Sequence, residues 1–298
     1  MTAFHSIGHR APSGHRFDEG RCWAASLELR FAQRPSGQGP VTRLVRNSHE
    51  GPLRVQRPFY PEGPGGCCHV YLLHPPGGLV SGDALTFQTT VESGAHALLT
   101  TPAAAKLYRS DRNGVAWKQH VQLHVQPGAT LEWLPQETLA FDGSRGTQST
   151  TIDMAEGARC LGWEMMALGR PESDLPFVSG HLEQGFCLTQ TGRPLWIERQ
   201  ILDPQHRRFR EYWGQGGAVV QGTLWAVGLG DESAAIEALR AELPPSPRWA
   251  VTRRGGVLLL RYLGSDRNEA WNQCEHAWRV LRPRLAGVAA QRPRIWST

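Results

Sequence analysis

Five carboxylates carry the chemistry this sequence offers: Glu132, Glu137, Asp142, Glu164 and Glu198 lie on or beside apolar, strand-like segments. Glu164 stands inside LGWEMMALG, where an ionised side chain is costly to bury unless it is paired or coordinating. Two such groups facing each other could act as acid and base in glycoside hydrolysis, and eleven tryptophans would suit sugar stacking. The tryptophans are scattered, however, and core packing accounts better for most of them. Asp83 follows a glycine pair, Gly77-Gly78, and the Ser81-Gly82 turn. A carboxylate there serves either as an Asx-turn acceptor or as a ligand.

Metal and nucleophile patterns are weaker. Cys67 and Cys68 are adjacent, and strand neighbours point to opposite faces. His69 and His74 are five apart and likewise diverge on a straight strand, so no cage of convergent ligands forms from them. His5, His9 and His15 fall in a polar N-terminal stretch with no geometry to hold an ion. Neither Ser110 nor Ser144 sits in a G-x-S-x-G elbow. The glycines around Gly77 lack the Lys-Ser/Thr and the helix of a phosphate loop. Arg207-Arg208 and Arg253-Arg254 are short basic pairs without an aromatic ladder, so no nucleic-acid partner is expected.

The elements that must position these groups read as mainly β. The chain of 298 residues is 40% hydrophobic and carries a net charge of +5, almost all of its positive charge on arginine. Residues 1 to 21 are expected to form a flexible tail, and residues 22–298 a single β-rich domain beginning with a strand at Cys22–Phe31. A repeat follows: VESGAHALLTTP from Val91, VQPGATLEWLPQ from Val125 and MAEGARCLGWEM from Met154. Each places a Gly-Ala pair between two apolar segments at a period near thirty, which argues for stacked β layers. Gly94, Gly128 and Gly157 are expected at the turns of hairpins. Two helices come late, Asp231–Leu243 and Asp266–Leu281, with Pro-Pro and Pro283 as their stops. Between them Val251–Leu263 reads as a hairpin turning at Gly255-Gly256.

The six cysteines lack C-x-x-C spacing and are read as reduced thiols of a cytoplasmic protein. No apolar run is long enough for a membrane span, and none resembles a signal peptide.

Six blocks in order carry a resemblance: RVQRPFYPEG (Arg54–Gly63), HVYLLHPPGGLVSGD (His69–Asp83), ALLTTPAAAKLYRS (Ala97–Ser110), LEWLPQETLAFDGS (Leu131–Ser144), GWEMMALGRP (Gly162–Pro171) and RPRIWST (Arg292–Thr298). Together they resemble the urease accessory protein D family, UreD or UreH, from about Arg54 to the C-terminus. Ser81-Gly82-Asp83 and Ala104-Ala105-Lys106 depart slightly from the family pattern. The resemblance implies a two-layered, helically stacked β structure with two late helices. It implies a non-enzymatic scaffold in urease maturation, working with the urease apoprotein, UreF and, through UreF, the GTPase UreG. No permanent cofactor is implied; nickel passes in transit along an internal polar route. Asp83, Glu164 and Glu198 are the route residues expected from the resemblance, with Asp142 a fourth. Trp271 and Trp278 on the C-terminal helix are the expected contacts to UreF, although an amphipathic stripe usually faces its own domain. The reading from another class is a β-solenoid carbohydrate-active enzyme using paired carboxylates.

Overall fold

The computed structural model describes residues 23–297 except Gln38. The expected tail, its histidines and Cys22 lie outside the described residues. Two sheets form the molecule. Sheet I has seven strands in the order Arg193–Leu202, His181–Gln190, Arg145–Met154, Trp117–Val125, Asp83–Val91, Trp23–Arg34, Val41–Glu50. Sheet II has eleven strands, and its main path runs Trp249–Arg254, Val257–Gly264, Val220–Val227, Arg159–Leu168, Thr130–Leu134, His96–Thr100, Cys68–Leu73, Arg54–Val55. The architecture is mainly β and two-layered, as expected.

The repeat is real, but its turns are not hairpins. Asp83–Val91 belongs to sheet I and His96–Thr100 to sheet II, so the turn at Gly94 carries the chain from one sheet across to the other. The turns at Gly128 and Gly157 do the same. Each strand then pairs in parallel with its counterpart one repeat away: Val91 with Val125, Val125 with Met154, Leu131 with Ala97 and with Cys160. Parallel neighbours need a crossover, and here the crossover is the other sheet. The arches stack as well, since Gln126 N–H donates to Val91 O (2.9 Å) and Ala155 N–H to Val125 O (2.8 Å). Alternation along one strand is identical in a hairpin and in an arch, which is why sequence pattern misassigned the partner.

The three arch glycines have φ of +73°, +69° and +71°. A Cβ at Gly128 would meet no atom closer than 3.9 Å, so only backbone strain opposes a side chain there. Gly128→Ala is expected to cost about 1–2 kcal/mol, read as a lowered urea midpoint with unchanged m.

Strand alternation sorts side chains into two cores. Leu85, Val91, Val121, Leu123, Leu131 and Ile152 pack between the sheets. Leu98, Leu134, Leu161, Trp163 and Leu260 face the other way and are covered by the helices. A short helix, α1 (Arg207–Arg210), precedes them. Helix α2 (Glu232–Glu242) starts where Asp231 accepts from Ala234 N–H at 2.9 Å and buries Ala235, Ile236 and Leu239. Helix α3 (Arg267–Ala286) starts at Asp266, whose carboxylate accepts from Asn268 and Glu269 N–H. Glu269 does cap-adjacent work of another kind, binding Arg248 and Tyr262. Pro283 does not stop α3. The helix runs one turn further and ends at Gly287, whose N–H bonds Pro283 O at 3.0 Å with φ +72°. Proline removes one donor but does not forbid the turn after it. The hairpin at Gly255-Gly256 forms as expected, between Trp249–Arg254 and Val257–Gly264.

Sheet II is interrupted at one level in three successive layers. Cys68–Leu73, His96–Thr100 and Thr130–Leu134 stop, and short strands resume at Gly78–Leu79, Ala105–Leu107 and Thr138–Ala140. Prolines 75 and 76, 102 and 135 fall in the gaps. A proline has no N–H for the ladder, so aligned prolines open the sheet. Side chains patch the opening: Thr100 Oγ1 donates to Leu134 O (2.5 Å) and Gln136 N–H to Thr101 Oγ1 (2.8 Å). Among the described residues no helix is long and apolar enough to cross a membrane.

Candidate functional site

Glu164 sits on the strand Arg159–Leu168, where Cys160, Gly162, Glu164 and Met166 point between the sheets. Its one short contact crosses to sheet I, where Thr150 Oγ1 donates to Glu164 Oε1 at 2.5 Å. Among the described residues no cation pairs with it. Burial therefore dominates and pushes its carboxyl up to about 7, with the Thr150 hydroxyl offsetting only part.

Two cavities adjoin at this residue. The larger, of about 130 Å³, lies beneath the proline interruptions of sheet II and is lined by Thr101, Pro102, Pro135, Gln136, Gln148 and Glu164. The smaller, of about 50 Å³, is walled by Glu164, Gln184, Glu198, Gln200, Gln221 and Thr223. Gln221 Nε2 donates to Gln184 Oε1 across the sheets at 2.5 Å. A space of about 50 Å³ takes a few waters.

Glu198 comes from the edge strand of sheet I. Burial raises its pKa, but a two-pronged bond from Arg261, with Gln200 and Trp196 adding donors, outweighs this and holds it below the usual range. The Arg261 Nη1 to Glu198 Oε1 bond is 2.9 Å. The two glutamates of one cavity are thus unlike: one clamped and ionised, one unpaired and poised near neutrality.

Asp83 and Asp142 are placed elsewhere. Asp83 is buried, and its Oδ2 accepts from Val80 N–H at 2.8 Å within its own turn. Asp142 Oδ1 accepts from Val178 N–H (3.0 Å), Ser179 N–H (2.7 Å) and Ser179 Oγ (2.9 Å), while Arg109 bonds Oδ2. Burial raises the Asp142 pKa, and these donors together outweigh it and hold the group below the usual carboxylate range. Neither aspartate lines the two cavities.

Trp271 and Trp278 face sheet II. They are 6% and 0% exposed, and Trp163 and Trp296 stack among them at ring separations of 5.2–5.6 Å. The stripe of α3 covers its own domain, so neither tryptophan is free at the surface; Asn272 and Arg279 are the exposed positions of that helix segment.

A second polar cluster lies under α3. Arg282 is fully buried, its Nε 2.9 Å from Glu132 Oε1 and its Nη2 2.6 Å from Glu62 Oε1. Glu132 also accepts from Trp278 Nε1 (2.6 Å) and lies 2.7 Å from His96 Nε2. Cys67, His96 and Glu132 hold ligand atoms within 4.8 Å of one another. The donor set is suited to a metal, but the Arg282 guanidinium already occupies both Glu132 oxygens and repels a second cation. Burial pushes the Cys67 thiol well up, away from the thiolate that ligation needs. This is a structural ion network. Sequence reading found Glu132 but not Arg282, and missed the inter-sheet glutamines; their register across parallel strands is not a local signal.

Known proteins match this chain in sequence over nearly its whole length. The family model described as UreD urease accessory protein matches residues 24–297. The urease accessory protein UreD of Marinobacter nauticus is 68% identical over 299 residues, with both chains covered in full. UreD 1 of Psychrobacter cryohalolentis is 64% identical over 286 residues, covering 96% of this chain and 95% of its own. UreD of Delftia acidovorans is 42% identical, covering 93% and 95%. With so nearly complete a match in both length and order, this chain belongs to the UreD family of urease accessory proteins.

Proposed function

We propose that this protein acts in urease maturation as a non-catalytic scaffold and conduit, with nickel as its cargo and no cofactor retained. In this reading it works in the cytosol, binds the urease apoprotein, and meets UreF and through it the GTPase UreG. The five described cysteines are free, in keeping with a reducing compartment. The partner surface of α3 in this reading is its outward polar side, around Asn272 and Arg279.

The observation that carries the proposal is Glu164, an unpaired carboxylate shared by two adjoining inter-sheet cavities. A delivery protein must hold its ion loosely and release it. A few oxygen ligands, amides and water bind a divalent ion far more weakly than a thiolate or imidazole cage. Glu164 and Glu198, with the glutamines between them, supply such a set. Asp83 and Asp142 serve the route only by fixing the loops near it.

The test is co-expression with the urease operon at scarce nickel. The Glu164→Gln/Glu198→Gln pair is expected to leave co-purification with the urease subunits intact and to lower urease nickel content several-fold. Metallation equal to the unsubstituted protein would overturn the conduit. Equal metallation after deletion of the gene would overturn the role altogether.

A further inference from the structure

Sheet I ends on the strand Arg193–Leu202, which pairs only with His181–Gln190. A ten-residue edge with one ladder unfilled is a template for another extended chain. Its outward side chains include Ile197, 64% exposed, and Ile201, 38% exposed. Beside it a groove of about 290 Å³ runs between the edge of sheet I and the strands Val220–Val227 and Val257–Gly264. Arg199, Arg208 and Arg261 line this groove, and among the described residues no carboxylate does. The loop after α1 borders it and presents Tyr212 and Trp213 to solvent, 98% and 64% exposed.

A second copy of this chain is a poor occupant. Edge-to-edge pairing about a two-fold axis would set the arginines of one copy against those of the other. Arginine at an edge blocks self-pairing but welcomes carboxylates, which it binds in a two-pronged fashion. We infer that this edge accepts an extended, acidic segment of a protein partner, which adds a strand to sheet I and sets its carboxylates on Arg199 and Arg208. Arg199 is now shared with Glu183 at 2.7 Å on the exposed side, a weak bond that an incoming carboxylate displaces at small cost. A carboxylate reaching Arg261 competes with Glu198, so docking would loosen the clamp at the smaller cavity. That last link rests on the proposed conduit; the docking itself does not.

The experiment titrates the full chain against a fluorescein-labelled decapeptide of alternating Glu and Val, at about 150 mM salt. The controls are a Lys-Val decapeptide and an oligothymidylate of equal length. Saturable binding of the acidic peptide is expected. It should weaken by about tenfold or more in the Arg199→Glu/Arg208→Glu variant and recover in Arg199→Lys/Arg208→Lys. Slowed amide exchange should be confined to residues 193–202 and the groove wall. The inference is overturned by absent binding, by unchanged affinity in the charge-reversed variant, by equal binding of the oligonucleotide, or by protection elsewhere on the molecule. No nickel enters the assay, so its failure is separate from failure of the conduit.

Discussion

Glu132→Ala is expected to lose about 3 kcal/mol of unfolding free energy at neutral pH. Arg282 is fully buried between Glu132 and Glu62, and the substitution leaves a guanidinium with half its counter-charge and no water to replace it. Glu62 remains at 2.6 Å, which keeps the loss at the lower end of what breaking a buried pair costs. The same variant strips acceptors from Trp278 and His96. Its pH signature identifies the cause. Burial raises the Glu132 pKa, but His96, Arg282 and Trp278 together hold it down to about 2, against an ordinary 4.5. A depressed carboxylate stabilises the fold above its unfolded pKa, and that stability is lost as pH falls through the window from 4.5 to about 2. The gap between variant and parent, measured by urea unfolding, should therefore be full at neutrality and close progressively through that window. A gap independent of pH would mean that Glu132 contributes packing rather than charge. Replacing the whole cluster, Glu132→Leu with Arg282→Met and Glu62→Gln, should recover much of the loss, because it removes all three charges together.

That network marks the boundary of what the sequence could disclose. The repeat at Gly94, Gly128 and Gly157 was legible because positive φ has a residue signature. The helix starts at Asp231 and Asp266 were legible because caps are local. Glu164 stood out as one charge in an apolar run, and it does face the interior. Arches passed for hairpins because the choice of sheet is a tertiary matter that alternation does not encode. Arg282 went unremarked because the helix was read to end at Leu281, just before it, with Pro283 as the stop. The coupling of Glu164 to Thr150, fourteen residues away and in the other sheet, depends on the thickness of the sandwich. No spacing rule contains that distance. The aligned prolines at 75–76, 102 and 135 were visible as turn signals, yet their shared level appears only once the layers are stacked.

Glu164→Gln should make the protein more stable above about pH 8 while lowering the nickel transfer proposed for it. Burial raises the carboxyl from 4.5 to about 7. Between those values the folded state keeps a proton that the unfolded chain has released, so stability falls as pH rises through the window and stays reduced above it. Glutamine keeps a hydrogen-bonding head for Thr150 and carries no charge to desolvate. The variant should show a flatter stability profile from about pH 5 to pH 7 and a gain near 2 kcal/mol at the alkaline end, reduced from the full linkage value because the carboxylate lines a cavity that admits water. The functional arm runs the opposite way. A divalent ion reaching Glu164 must displace its proton, so nickel transfer by the parent should rise with pH across 6 to 8, in step with the group's ionisation near 7. In Glu164→Gln that rise should vanish, with metallation low at every pH. A more stable protein that delivers less metal is hard to explain by misfolding, and that is the strength of pairing the two measurements. If the variant metallates urease as well as the parent does, or if transfer by the parent is flat from pH 6 to pH 8, the interior carboxylate is a passenger and the proposed conduit through Glu164 is wrong.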